Sequence, residues 1–169
     1  MNERQENEQY FFDAATLDRL GAFVASFPNP CCVCCPLLGK WLVEHGHDVT
    51  TLDVDDLFSE LPGFRHFDLN RPDWQGDDFG IIICDPPFYN VSLRQLFAAL
   101  RLLSRNNFGQ PLMISYLKRR DQAILNSLAE FTLSPSGFRP GYQTVQKIKR
   151  NEIEFFSNLD SESLAPLQS

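Results

Sequence analysis

The sequence predicts an α/β fold: a seven-stranded, mostly parallel sheet with helices on both faces. Short apolar runs alternate with segments of helical period through most of the chain, which is the pattern of strands joined by crossover helices. The helical segments open on residues suited to helix starts, and 169 residues is the length of one domain. Asp13 caps a helix reaching about residue 26, with Leu17, Leu20, Val24 and Phe27 on one face. A strand at 31–35 follows. Pro36 then opens a second helix that Gly46 stops, since a proline at the first helical position leaves no N–H unpaired. Strands at 49–53, 64–68 and 80–84 come next. Ser92 caps a helix whose buried stripe is Leu93, Leu96, Phe97, Leu100 and Leu103, with Arg94, Arg101 and Arg105 on the other face. A strand at 111–117, a helix capped by Asp121, and strands at 131–134 and 152–158 complete the set. The expected organisation is a domain over 10–160 between loose tails at 1–9 and 161–169.

Hydrophobic residues make up 43% and charged residues 22%, ordinary values for a soluble globular protein. No apolar run approaches the roughly 20 residues that span a bilayer, and the polar, acidic start is unlike a signal peptide, so an intracellular protein without membrane contact is expected. The run CCVCC at 31–35 has overlapping C-x-x-C spacings, yet only Cys84 lies outside it, so a tetrahedral metal site has no second pair of ligands. A buried strand explains the run better, with Cys31, Val33 and Cys35 on one face and Cys32 and Cys34 on the other. No metal is expected. Net charge is −7, but residues 1–85 carry 5 basic against 16 acidic side chains and residues 86–169 carry 10 against 6. Such asymmetry is a cue for contact with a polyanion or for a solvated face.

Open parallel sheets bind ligands beyond the carboxyl ends of their strands. Cys35-Pro36, Asp53, Asp68 and Asp85-Pro86-Pro87-Phe88 all fall at such ends, as do Lys118, Arg119 and Arg120. The tetrapeptide is the informative one. Two prolines fix φ near −65° and remove two donors, so the chain leaves the sheet in a stiff corner with unpaired carbonyls. Asp85 adds a carboxylate and Phe88 a flat ring, a combination suited to a planar group bearing –NH₂. An exocyclic adenine nitrogen is a poor nucleophile because its lone pair is delocalised. Hydrogen bonds from its N–H groups to Asp85 and to the Pro86 carbonyl would help localise that pair toward an electrophilic methyl group.

These residues resemble the class I S-adenosylmethionine-dependent methyltransferases that carry a (D/N/S)PP(F/Y/W) signature and modify amino nitrogens. The chain is most similar to the N6-adenine group that contains the CCHC-zinc-finger ribosomal RNA N6-adenosine methyltransferase and the elongation factor 1A lysine methyltransferase. The likeness runs over residues 9–160: Gln9-Tyr10-Phe11-Phe12-Asp13 with Thr16, Cys32-Val33 and Pro36, Leu52-Asp53-Val54-Asp55, Asp85-Pro86-Pro87-Phe88, and Phe155-Phe156-Ser157-Asn158. It implies a Rossmann-like domain with S-adenosylmethionine as cofactor. It also implies that Asp85 to Phe88 are catalytic, that the backbone from Cys35 through Pro36 to Gly39 holds the methionine part, and that Asp53 accepts from the ribose and Asp68 or a neighbour meets the adenine. The chain departs from the pattern in having only Gly39 where many methyltransferases have a glycine-rich loop, and in lacking zinc-finger segments, so substrate binding has to come from elsewhere, a helper protein included.

Adenine and lysine both fit an acidic pocket with carbonyl acceptors. The segment 132–150 decides the expectation: it holds no acid but has Arg139, Lys147, Lys149 and Arg150, with Phe138 and Tyr142 interleaved. Together with Lys118, Arg119 and Arg120 this predicts a basic, aromatic rim for nucleic acid, RNA in particular, ahead of a protein lysine. A non-catalytic methyltransferase-like binding subunit is the reading from a different class. His45, His47 and His66 are expected at surface or turn positions, and Trp41 and Trp74 as packing residues.

Overall fold

The computed structural model describes residues 10–144 and 152–168. Its elements are α1 (Ala14–Val24), β1 (Pro30–Val33), α2 (Pro36–Glu44), β2 (Thr50–Asp53), β3 (Phe64–His66), β4 (Ile81–Cys84), α3 (Leu93–Leu103), β5 (Leu112–Leu117), α4 (Asp121–Ser127), β6 (Ser134–Pro135), β7 (Ile153–Ser157) and α5 (Ser161–Leu164). The seven strands form one sheet in the order β3-β2-β1-β4-β5-β7-β6. β1 pairs in parallel with both β2 and β4, and β7 runs antiparallel between β5 and β6. The strand order reverses between β1 and β4, and their carboxyl ends open the crevice where doubly wound sheets take ligands.

The predicted caps are in place with one exception. Asp13 accepts from the Thr16 N–H at 2.9 Å, and Ser92 and Gln95 form a reciprocal capping box at the start of α3. Asp121 is instead the first residue of α4, where its carboxylate accepts from the Gln122 N–H at 2.7 Å. One buried cluster lies on the α3/α4 face and includes Cys31, Val33, Ile82, Leu96, Leu100 and Phe156; the other, under α1 and α2, includes Cys32, Cys35, Leu20, Leu38, Ile83 and Phe155.

Three expectations need correction. β1 ends at Val33, and Cys34 takes a left-handed conformation with φ 61°, which reverses the alternation and sends Cys35 to the same side as Cys32. Residues 161–168 are not a loose tail: Asp160 caps α5, and Leu164 and Leu167 are buried in the cluster under α1. Trp74 is 63% exposed rather than packed. Residues 1–9 lie outside the described residues.

Gly39 sets the approach of α2 to β2. A methyl group built there would overlap the Thr51 hydroxyl and stand 3.0 Å from its Cγ2. That hydroxyl is buried with no hydrogen-bond partner among the described residues. Glycine to alanine in a helix ordinarily gains about 1 kcal/mol, whereas overpacking costs about 1–3 kcal/mol, so the clash decides the sign. Gly39→Ala is expected to lower the melting temperature, and the double variant Gly39→Ala, Thr51→Ala to recover part of the loss; stabilisation by the single variant would contradict this packing.

Candidate active site

Asp85 leaves β4 at the switch point, tied down by a 3.0 Å bond from its N–H to the Val33 carbonyl. On the other side of Val33, the Cys34 N–H donates to the Leu52 carbonyl at 2.9 Å. The ends of β1, β2 and β4 are thereby laced together, and the loop after β1 lies beside the Asp85 corner.

The Asp85 carboxylate is held by one oxygen. Ser115 Oγ, from β5, donates a short hydrogen bond to Oδ1, and Tyr142 Oη donates to the same atom at 2.7 Å. Among the described residues nothing bonds Oδ2, and no cation pairs with the group. Burial pushes the Asp85 carboxyl up to about 7, with the Asp53 charge adding to the rise and the two hydroxyls opposing it. Burial also pushes the Tyr142 phenol upward, with the Asp85 charge contributing.

Tyr142 is itself braced. Phe12 and Tyr142 form an antiparallel bridge, with rings 5.3 Å apart. The Asp13 N–H donates to the Gly141 carbonyl at 2.9 Å, the Gln143 N–H to the Phe11 carbonyl at 2.9 Å, and the Gly141 N–H to Thr16 Oγ1 at 2.8 Å. A side chain at Gly141 would overlap the Asp13 carboxylate. The Phe11-Phe12-Asp13 lead-in is therefore a strap that seats Tyr142 against Asp85.

Pro86 is buried and Pro87 half-buried, and Phe88 stands edge-on to Tyr116 at 5.5 Å and 85°. Asp53, 4% exposed, accepts from the Asp55 N–H at 2.8 Å, and burial raises its carboxyl to about 6. Asp68, just beyond β3, accepts from the Asn70 N–H at 2.9 Å. Burial is the main cause that raises the Cys34 thiol, and the charges of Asp53, Asp85 and Asp68 all act on it as well. Those acids converge on the loop after β1, where Cys35 caps α2 and Pro36 begins it. Gly39 lies one turn further on, against Thr51, and serves this loop by letting the helix approach.

Among the described residues, part of the basic rim is paired with acids. The register pairs Tyr116 with Glu154 and Leu117 with Ile153, so β7 carries Glu152 and Glu154 up to the basic end of β5. Lys118 lies 3.9 Å from Glu154, and Arg139 lies 3.6 Å from both Glu152 and Glu154. Arg119 donates to the Tyr89 hydroxyl, and Arg120 sits over the Tyr116 ring at 5.3 Å. Phe138 is core rather than rim, and Tyr142 faces Asp85 rather than solvent. Lys147, Lys149 and Arg150 lie outside the described residues. Two participants were missed in the sequence. Ser115 is a lone serine inside an apolar strand, a visible signal, whereas Cys34 gives none, because a left-handed cysteine looks like any other.

Among the described residues no group of side chains is arranged to hold a metal, and no helix is long and apolar enough to cross a membrane. The fold is that of the S-adenosylmethionine-dependent methyltransferases. It is similar to a TehB-like enzyme of that class from Corynebacterium glutamicum (TM-score 0.59, 14% identity, 86% of this chain and 87% of that one). It is also similar to one from Clostridium acetobutylicum (TM-score 0.59, 10% identity, 83% and 91%). A third neighbour is the magnesium protoporphyrin IX methyltransferase of Synechocystis PCC 6803, solved with bound cofactor (TM-score 0.54, 16% identity, 85% and 78%). No curated protein matches the chain. A family model spans residues 3–161, and the chain belongs to that family, described as "Probable N6-adenine methyltransferase".

The hydrogen bond from Tyr142 lowers the Asp85 carboxyl, so Tyr142→Phe is expected to move its titration further above 7. Carboxyl-carbon NMR titration measures this, and a downward shift would contradict the geometry. The folded state holds the Asp85 proton more tightly than the unfolded state. Stability is therefore lost as pH rises from about 4 to about 7. Asp85→Asn should raise the melting temperature at pH 8, and the gap should narrow as pH falls toward 5.

Proposed function

We propose that this chain transfers a methyl group from S-adenosylmethionine to the N6 amine of adenine in nucleic acid, RNA in particular. The observation that carries the reading is the half-occupied carboxylate of Asp85, with Oδ1 accepting from two hydroxyls and Oδ2 left without a donor among the described residues, at the corner that Pro86, Pro87 and Phe88 continue.

The crevice suits the cofactor. The charges of Asp53, Asp68 and Asp85 all act on the half-buried Cys34, and among the described residues no cation pairs with any of them. Carboxylates without a paired cation complement a sulfonium ligand. Asp53 would accept from the ribose hydroxyls, the backbone from Cys35 to Gly39 would hold the methionine part, and Asp68 would meet the adenine. When bound, the cofactor supplies an electrophilic methyl group.

The chain's own residues prepare the acceptor. Asp85 Oδ2 and the Pro86 carbonyl accept the two N–H groups of a flat amine, while Phe88, propped on Tyr116, offers a face for its ring. Ser115 and Tyr142 fix the carboxylate so that little reorientation is needed at the moment of reaction. Once the new N–C bond forms the amine carries a surplus proton, and Oδ2 is the atom placed to take it. A carboxyl that titrates near 7 can accept that proton and release it to water.

A protein lysine is the second reading, favoured by the pairing of Lys118 and Arg139 with glutamates, which makes the rim less basic. A lysine ammonium first has to lose a proton, a step that adenine does not need.

Purified protein with methyl-labelled cofactor, offered RNA oligonucleotides and cell-extract proteins side by side, decides between them. Label in N6-methyladenosine is expected, with activity rising through pH 7 as Asp85 ionises. Asp85→Ala is expected to lose at least about 100-fold in rate while calorimetry still detects cofactor binding. Label confined to protein would reverse the assignment.

A further inference from the structure

Among the described residues, the positive charge that faces outward at the end of β5 is narrowly placed. Lys118 and Arg139 lie against Glu152 and Glu154, whereas among the described residues neither Arg119 nor Arg120 has a carboxylate partner. Arg120 is half-buried over the Tyr116 ring, so of this pair the exposed charge is that of Arg119. Its guanidinium donates to the hydroxyl of Tyr89. A neutral phenol orients a guanidinium without cancelling its charge, and the same bond holds the ring in one attitude.

Tyr89 is 66% exposed, the most exposed of the large apolar side chains among the described residues. It directly follows Phe88, so the oriented ring stands one residue beyond the aromatic face at the catalytic corner. A ring so open to solvent contributes little to the core, and no carboxylate among the described residues relieves the charge of the arginine bound to it. A flat apolar surface and a fixed cation side by side match one chemical unit, a base with its phosphodiester.

We propose that Tyr89 and Arg119 form a subsite for the nucleotide adjoining the target adenine, its base stacked on the Tyr89 ring and its phosphate on the Arg119 guanidinium. The proposal rests on the reading of the chain as an N6-adenine methyltransferase of RNA. It adds that the enzyme requires a single-stranded neighbour and holds it with little preference for base, because every base has a stacking face.

Steady-state methylation of a single-stranded RNA oligonucleotide containing one adenosine, across a range of salt concentrations, tests it. Arg119→Ala is expected to raise KM and to reduce the slope of log KM against log salt by about 0.7, the share of one phosphate contact on a single strand. Tyr89→Ala should raise KM at least about fivefold, the effect of one lost stack, and Tyr89→Phe should retain most of the affinity. In all three, kcat should stay within about twofold, since uniform binding is what is removed. Arg105→Ala, which removes equal charge from the exposed turn after α3, should leave KM unchanged. Unchanged KM and salt slope in Tyr89→Ala and Arg119→Ala, or a loss carried by kcat with a lowered melting temperature, would overturn the subsite while RNA methylation by the wild type stands. Wild-type protein that methylates only protein would overturn the underlying reading and the subsite together.

Discussion

A half-buried carboxylate with no cation paired to it among the described residues is the constraint around which the rest of the site is arranged. Burying Asp85 at the end of β4 costs free energy, and the raised titration of its carboxyl is the mark of that cost. The two hydroxyl donors offset it in part, and both do so on one oxygen. An arginine in their place would have given a more stable rim and an occupied acid. The arrangement found leaves Oδ2 without a donor among the described residues, a local imbalance of the kind proteins keep at working sites.

Each part of the fold near this corner serves that arrangement. Parallel pairing of β1 with β2 and β4 brings the loop after β1 to the side of the acid. Cys34 turns that loop in a left-handed conformation, the task that glycine performs in glycine-rich first loops, and Gly39 lets α2 settle onto the sheet behind it. The strap at residues 11–13 has no chemistry of its own. It supplies a bridge, an aromatic contact and backbone hydrogen bonds that hold the segment of Tyr142, and through Tyr142 it bears on Asp85. Substitutions in the strap therefore act on the acid at a distance, by loosening the residue that orients it.

Much of this was legible before the structure. Strand and helix alternation, the caps at Asp13 and Ser92, and the stiff corner after β4 all follow from local chemistry, because each depends on residues within a few positions of one another. Pairings between distant segments were not legible. Nothing in the segment 132–150 reveals that β7 runs antiparallel to β5 and so delivers Glu152 and Glu154 to Lys118 and Arg139. Tyr142 read as a rim aromatic for the same reason, since its contact with Asp85 spans 57 positions. The short helix after Asp160 was missed because a four-residue element has too little period to register, although its buried Leu164 and Leu167 dock firmly.

The split of charge between the two halves of the chain also takes on a meaning. Acids from the first half converge on the loop after β1, beside the place of a cationic cofactor, and the exposed Arg119 held by Tyr89 comes from the second half, on the side where the proposed substrate would bring negative charge. A crystal structure with the demethylated cofactor and adenosine bound together is the most direct examination of this account. It should show the adenine amine within hydrogen-bond distance of Asp85 Oδ2, with Ser115 and Tyr142 still on Oδ1 and the sulfur in line beyond the amine. A complex in which Asp85 has turned to pair with a cation, or in which the nucleobase lies away from it, would contradict the account at its centre.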